Sequence, residues 1–73
     1  MKTKADILEK MVEAREDLGW SMETAARYMN VTENTVQRWE YGQVEPNFEN
    51  TLKIQNFIEE YENGDLDKLR ENK

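Results

Sequence analysis

Glu33, Asn34, Gln37, Arg38 and Tyr41 lie within nine residues of one another and carry most of the chemistry this 73-residue chain can offer. Their spacing is helical. Val36 and Trp39, between them, are the apolar residues that would turn inward, which leaves the other five on an outward face. Asn and Gln pair bidentately with adenine, Arg pairs with guanine, and Glu accepts from cytosine. These are groups suited to reading base edges. Catalysis is poorly supplied by comparison. The chain has no Cys and no His, so the commonest general base, thiolate nucleophile and metal ligands are all missing. The carboxylates Glu59, Glu60 and Glu62 lack the glycine spacing of a calcium loop and suggest a solvated face. An enzyme is not expected, and no cofactor or metal is implied.

The elements that must position this face follow from periodicity and capping. A first helix is expected from about Thr3 to Leu18, with Ile7, Leu8, Met11, Val12, Ala14 and Leu18 as its apolar set and Glu9, Lys10, Glu13 and Glu16 opposite. Gly19 ends it. Ser21 caps a second helix, Met22 to Met29. Asn30 suits the left-handed conformation of a tight turn, Val31 plugs that turn, and Thr32 caps a third helix reaching Tyr41. Gly42 stops it. The only Pro, Pro46, closes the following loop, and Asn47 caps a fourth helix to about Glu62 with Leu52, Ile54, Phe57, Ile58 and Tyr61 inward. After Asn63-Gly64, Asp65 caps a short fifth helix carrying Leu66 and Leu69. The tail from Glu71 is expected to fray.

The expectation is one domain over residues 1–73: an all-α, compact five-helix bundle with the helix-turn-helix proper at about 21–42 and C-terminal helices at 47–71. A chain of this size buries only about 60% of its unfolded surface. Trp20, Trp39, Phe48 and Phe57 are read as core aromatics. Tyr61, Leu66 and Leu69 either close the core or form an apolar patch for a second copy. No apolar run approaches the roughly 20 residues of a membrane span and no signal-like stretch opens the chain, so a soluble, cytoplasmic protein is expected.

The spacing of the second and third helices is demanding. Ala26 lies at their crossing, Asn30 at the turn, and Val36 and Trp39 point back into the core. From about Leu8 to Ile58 the chain resembles the Cro/CI-type helix-turn-helix domains of phage repressors and bacterial regulators. The resemblance rests on Met11 to Leu18, Ser21 to Ala26, Asn30-Val31-Thr32, Asn34-Thr35-Val36, the run Arg38-Trp39-Glu40-Tyr41-Gly42, and Pro46 followed by Thr51-Leu52-Lys53-Ile54. It implies a five-helix lambda-repressor-like fold and double-stranded DNA as ligand. It also implies a homodimer on a palindromic operator, and a buried ion pair between Arg15 and Glu40. Base contacts would come from Glu33, Asn34, Gln37 and Arg38. Ser21, Thr32, Thr35, Tyr41 and Gln43 would touch the DNA backbone, with Asn47 as a further neutral donor. The chain departs from the family at Asn30, usually Gly, and at Met22, usually Gln.

Charge sets a second reading beside the first. The net charge is −6, and it is spread evenly. Six Lys and Arg face nine Asp and Glu up to Glu45, and four face seven from Pro46 onward. The loop Gln43-Val44-Glu45 holds no cation, and Arg27, Arg38, Lys2, Lys4 and Lys10 are the nearby candidates. The sequence is therefore compatible with a DNA-binding regulator, repressor or antitoxin. The alternative is an acidic protein-binding module that has kept this scaffold and lost DNA.

Overall fold

The computed structural model describes residues 4–71. They form four α-helices, α1 (Lys4–Leu18), α2 (Met22–Met29), α3 (Glu33–Glu40) and α4 (Phe48–Glu62), followed by one 3-10 turn at Asp67–Leu69. No strand occurs among the described residues. The expected start at Thr3 lies outside them, and α3 ends one residue before Tyr41, which serves as its C-cap.

Local chemistry explains the boundaries. Ser21, Thr32 and Asn47 all adopt extended backbone, and each side-chain oxygen accepts from the N–H three residues on: Thr24, Thr35 and Asn50. Each cap satisfies one of the otherwise orphaned donors of a first turn. At the other end of α1, Gly19 has φ +75°, and the Trp20 N–H reaches back to the Arg15 carbonyl at 3.0 Å, a Schellman closure. Asn30 repeats this at the end of α2 with φ 63°, its neighbour Val31 donating to the Ala26 carbonyl at 2.9 Å.

The core draws on every helix. Met11, Ala14 and Leu18 of α1 meet Ala25, Ala26 and Met29 of α2, Val36 and Trp39 of α3, and Ile54, Phe57 and Ile58 of α4. Ala25 and Ala26 are small and buried in this core, which allows α2 to approach its neighbours closely. Trp20 stacks on Phe57 with centroids 5.6 Å apart. Tyr28 tilts against both rings and donates to Glu60. Burial, and after it that bond to Glu60, pushes the Tyr28 hydroxyl up to about 12.

Two expectations about the core are corrected. Phe48 is 77% exposed and Leu52 is also exposed. Ile54, Phe57, Ile58 and Tyr61 define the inward stripe of α4, and Phe48 and Leu52, one turn apart, fall on the opposite side of the helix. Pro46 is the residue of that loop that is fully buried.

The fifth helix is also corrected: it is a single 3-10 turn. Asp65 does not cap it; Leu66 occupies the cap position and offers no side-chain bond. Leu66 is instead drawn into the core. The rest of the segment is held as a strap by bonds to distant residues. The Trp20 indole N–H donates to the Leu69 carbonyl at 2.9 Å, Arg70 donates to the Asp17 carbonyl at 2.6 Å, and the Glu71 N–H donates to the Leu18 carbonyl at 2.7 Å. A Cβ on Gly19 would sit 2.8 Å from the Glu71 carbonyl oxygen, so the strap passes where only glycine fits. Glu71 is therefore bound, contrary to the expected fraying, while Asn72 and Lys73 lie outside the described residues.

Candidate nucleic-acid interface

α3 is fixed from behind and left bare in front. Behind, Val36 and Trp39 are buried against α1 and α2. Beside them, Arg15 Nε donates to Glu40 Oε2 at 2.8 Å, and Arg15 Nη2 donates to Glu40 Oε1 at 3.0 Å. The two side chains are only 13% and 7% exposed. A third guanidinium bond, from Nη1 to the Trp20 carbonyl at 3.0 Å, ties the pair to the corner before α2. Bidentate Arg–carboxylate geometry fixes orientation as well as distance, so this cluster locks the rotation of α3 relative to α1 and α2.

In front, Glu33, Asn34, Gln37 and Arg38 are all exposed. Each is without a side-chain hydrogen bond or ion pair among the described residues. Tyr41 is also exposed at the helix end. The structure thus brings the four candidate base-contacting residues together on one continuous face. Their donors and acceptors remain unspent.

The candidate backbone contacts divide into groups. Ser21 Oγ holds the Thr24 N–H and shares a hydrogen bond with Thr24 Oγ1 at 3.1 Å. Thr32 Oγ1 repeats the arrangement with Thr35 Oγ1 at 2.8 Å. Whichever hydroxyl donates within a pair, the other keeps a proton that can point outward. The N–H groups of Met22 and Glu23 at the start of α2, and of Glu33 and Asn34 at the start of α3, belong to the first turn and have no intrahelical partner. A helix N-terminus of this kind favours an anion. Gln43 is exposed in the loop after α3, and Asn47 caps α4.

Cations are few here. Arg27 lies 3.6 Å from Glu23 on its own helix, an exposed i,i+4 pair. Lys10 lies between α1 and α4. Lys2 and the Lys4 side chain lie outside the described residues. Lys53 is a cation that sequence reasoning passed over: its Nζ donates to the Asn30 carbonyl at 3.3 Å, reaching from α4 to the interhelical turn. No short-range pattern marks it, because the contact spans 23 residues.

A two-helix unit with a tight left-handed turn, buried small residues at the crossing and an exposed polar second helix is a helix-turn-helix. Comparison with known families matches residues 11–62 to the helix-turn-helix family of Cro/CI type, and the chain belongs to that family. It is a family of DNA-binding regulatory domains, generally non-enzymatic. No curated protein and no solved structure matches the chain. Among the described residues no helix is long and apolar enough to cross a membrane, and no group of His, Cys, Asp or Glu could hold a metal ion.

Proposed function

We propose that the protein is a transcriptional regulator that binds double-stranded DNA sequence-specifically, with α3 in the major groove. The observation that carries this reading is the bare face of α3, on which Glu33, Asn34, Gln37 and Arg38 stand exposed and unpaired. In this role Asn34, Gln37 and Arg38 read base edges, with Glu33 beside them. Ser21, Thr32, Thr35, Tyr41 and Gln43 position the duplex through neutral bonds to phosphate.

A homodimer on a palindromic operator suits a helix-turn-helix of this size, since one α3 spans a single half-site. Leu66 is spent on the core, and Tyr61 packs against it and donates to Asp17 at 2.6 Å. Of the three C-terminal candidates only Leu69 remains exposed. The exposed apolar residues available to a second copy therefore also include Phe48 and Leu52 on α4.

Selection from a pool of random duplexes tests the reading. Enrichment of one sequence, with Arg38→Ala costing about 1–3 kcal/mol and relaxing choice at one base pair, is the expected outcome. The acidic protein-binding module is the second reading. The observation favouring it is that Tyr41, Val44 and Phe48, around a loop where cations would grip phosphate, are exposed and uncharged. A pool that yields no enriched sequence at low salt decides for that second reading. Sedimentation alone and with the selected duplex gives the stoichiometry.

A further inference from the structure

Surface grooves lie between the elements, and their charges differ. The groove between α1 and α4 sets Lys10 beside Glu59 and Glu62. The groove under the strap holds Arg27 with Glu71, and the one beside Tyr28 holds Lys53 with Glu60. Another, about 580 Å³ between α1 and the end of α3, is lined by Leu8, Val12, Trp39 and Gly42 with Glu9, Glu13 and Glu40. Among the described residues, every charged side chain lining it is a carboxylate.

Glu40 is already compensated by Arg15. Glu9 and Glu13 are not: they stand exposed one turn apart on α1, with no hydrogen bond or ion pair among the described residues. Between them and α3, Leu8 and Val12 are only partly buried. We propose that this groove docks a basic, amphipathic helical segment of a partner protein. Its apolar side chains would lie on Leu8 and Val12, and its Lys or Arg side chains beside Glu9 and Glu13.

Charge complementarity selects this occupant. Phosphate and acidic segments are repelled by the unpaired carboxylates, whereas a cationic helix gains from both the charge and the apolar floor. A second copy is a poor match. Among the described residues, the basic-apolar stretch Lys68-Leu69-Arg70 is held in the strap, with Arg70 on Asp17 and Asp67 and the Leu69 carbonyl on Trp20. On the α3 side the groove is lined by Trp39, Glu40 and Gly42 and by none of Glu33, Asn34, Gln37 and Arg38, so the four candidate base-contacting residues lie outside it. The inference stands apart from the DNA reading.

The test is a titration of the full chain into a fluorescein-labelled amphipathic peptide of Leu and Lys, followed by anisotropy, with the same peptide carrying Glu for Lys as control. Saturable binding of the Lys peptide is expected, with amide NMR shifts concentrated at residues 8–13 and 39–42. Glu9→Lys with Glu13→Lys should weaken it by about tenfold, because two modest attractions become repulsions. Glu59→Lys with Glu62→Lys makes the same change in net charge elsewhere and should leave it within about twofold. Equal loss in both pairs, equal binding of the Glu peptide, shifts centred on α4, or a solution dimer that buries the groove would each overturn the proposal. Arg38→Ala should retain peptide binding, so this result is read independently of DNA binding.

Discussion

The guanidinium of Arg15 spends three donors on two partners, Glu40 and the Trp20 carbonyl, and so decides how α3 is presented. Such a pair adds little net stability over an apolar one, but removing one member leaves a buried charge at a cost of about 3–5 kcal/mol. Glu40→Ala should therefore lower the urea midpoint by far more than Glu33→Ala, which lies on the surface and should stay within about 0.5 kcal/mol. Equal midpoints for the two variants would count against the ion pair as the device that holds α3. Asn30 is the second decisive residue. It is the one non-glycine residue with positive φ among those described, where an added Cβ without a polar group costs about 1–2 kcal/mol. Asn30→Ala should destabilise by roughly 1 kcal/mol, and Asn30→Gly should be neutral or better, by the same denaturation measurement.

At the level of elements, the strap is the part most open to manipulation. Gly19→Ala must both adopt positive φ and displace the Glu71 carbonyl, and Arg70→Ala removes the bonds to Asp17. Both should shift Trp20 emission to the red, as the indole loses its Leu69 partner, while far-ultraviolet helix content changes little. Acid should act on the same place. Hydrogen bonds from Tyr61 first, and Arg70 second, hold the Asp17 carboxyl below its usual 3.8. A depressed carboxylate stabilises the fold fully above its ordinary value, and that contribution is lost as pH falls through the lowered one. The Trp20 signal should accordingly hold steady down to about pH 4 and change below it, and Asp17→Asn should remove that acid step. These elements also show what was legible in the sequence. Ser21, Thr32, Asn47, Gly19 and Asn30 act within four or five residues of themselves, so their caps and turns could be read directly, and so could the bare face of α3. The orientation of Phe48, the Lys53 bond to Asn30 and the strap could not. Each depends on contacts made across the fold, which no local period encodes.

For the whole molecule, an even spread of acid accompanies a small, mostly neutral candidate interface. Charges further than about 8 Å from a bound duplex are largely screened at physiological salt. The few cations near the bare face of α3, chiefly Arg38, can displace few counterions. The affinity of the selected duplex should therefore fall only gently as salt rises, and a slope equivalent to about eight or more released counterions would contradict this picture. The strap has a further consequence for the order of events during synthesis. Its bonds join residues 49 and 53 positions apart, Trp20 to Leu69 and Asp17 to Arg70, and the Glu71 N–H binds the Leu18 carbonyl. Contacts this remote in sequence close late. In a nascent chain still holding these residues inside the ribosome, the Trp20 corner, one residue before the cap of α2, stays unlatched. Only when Glu71 emerges does the domain acquire its finished form.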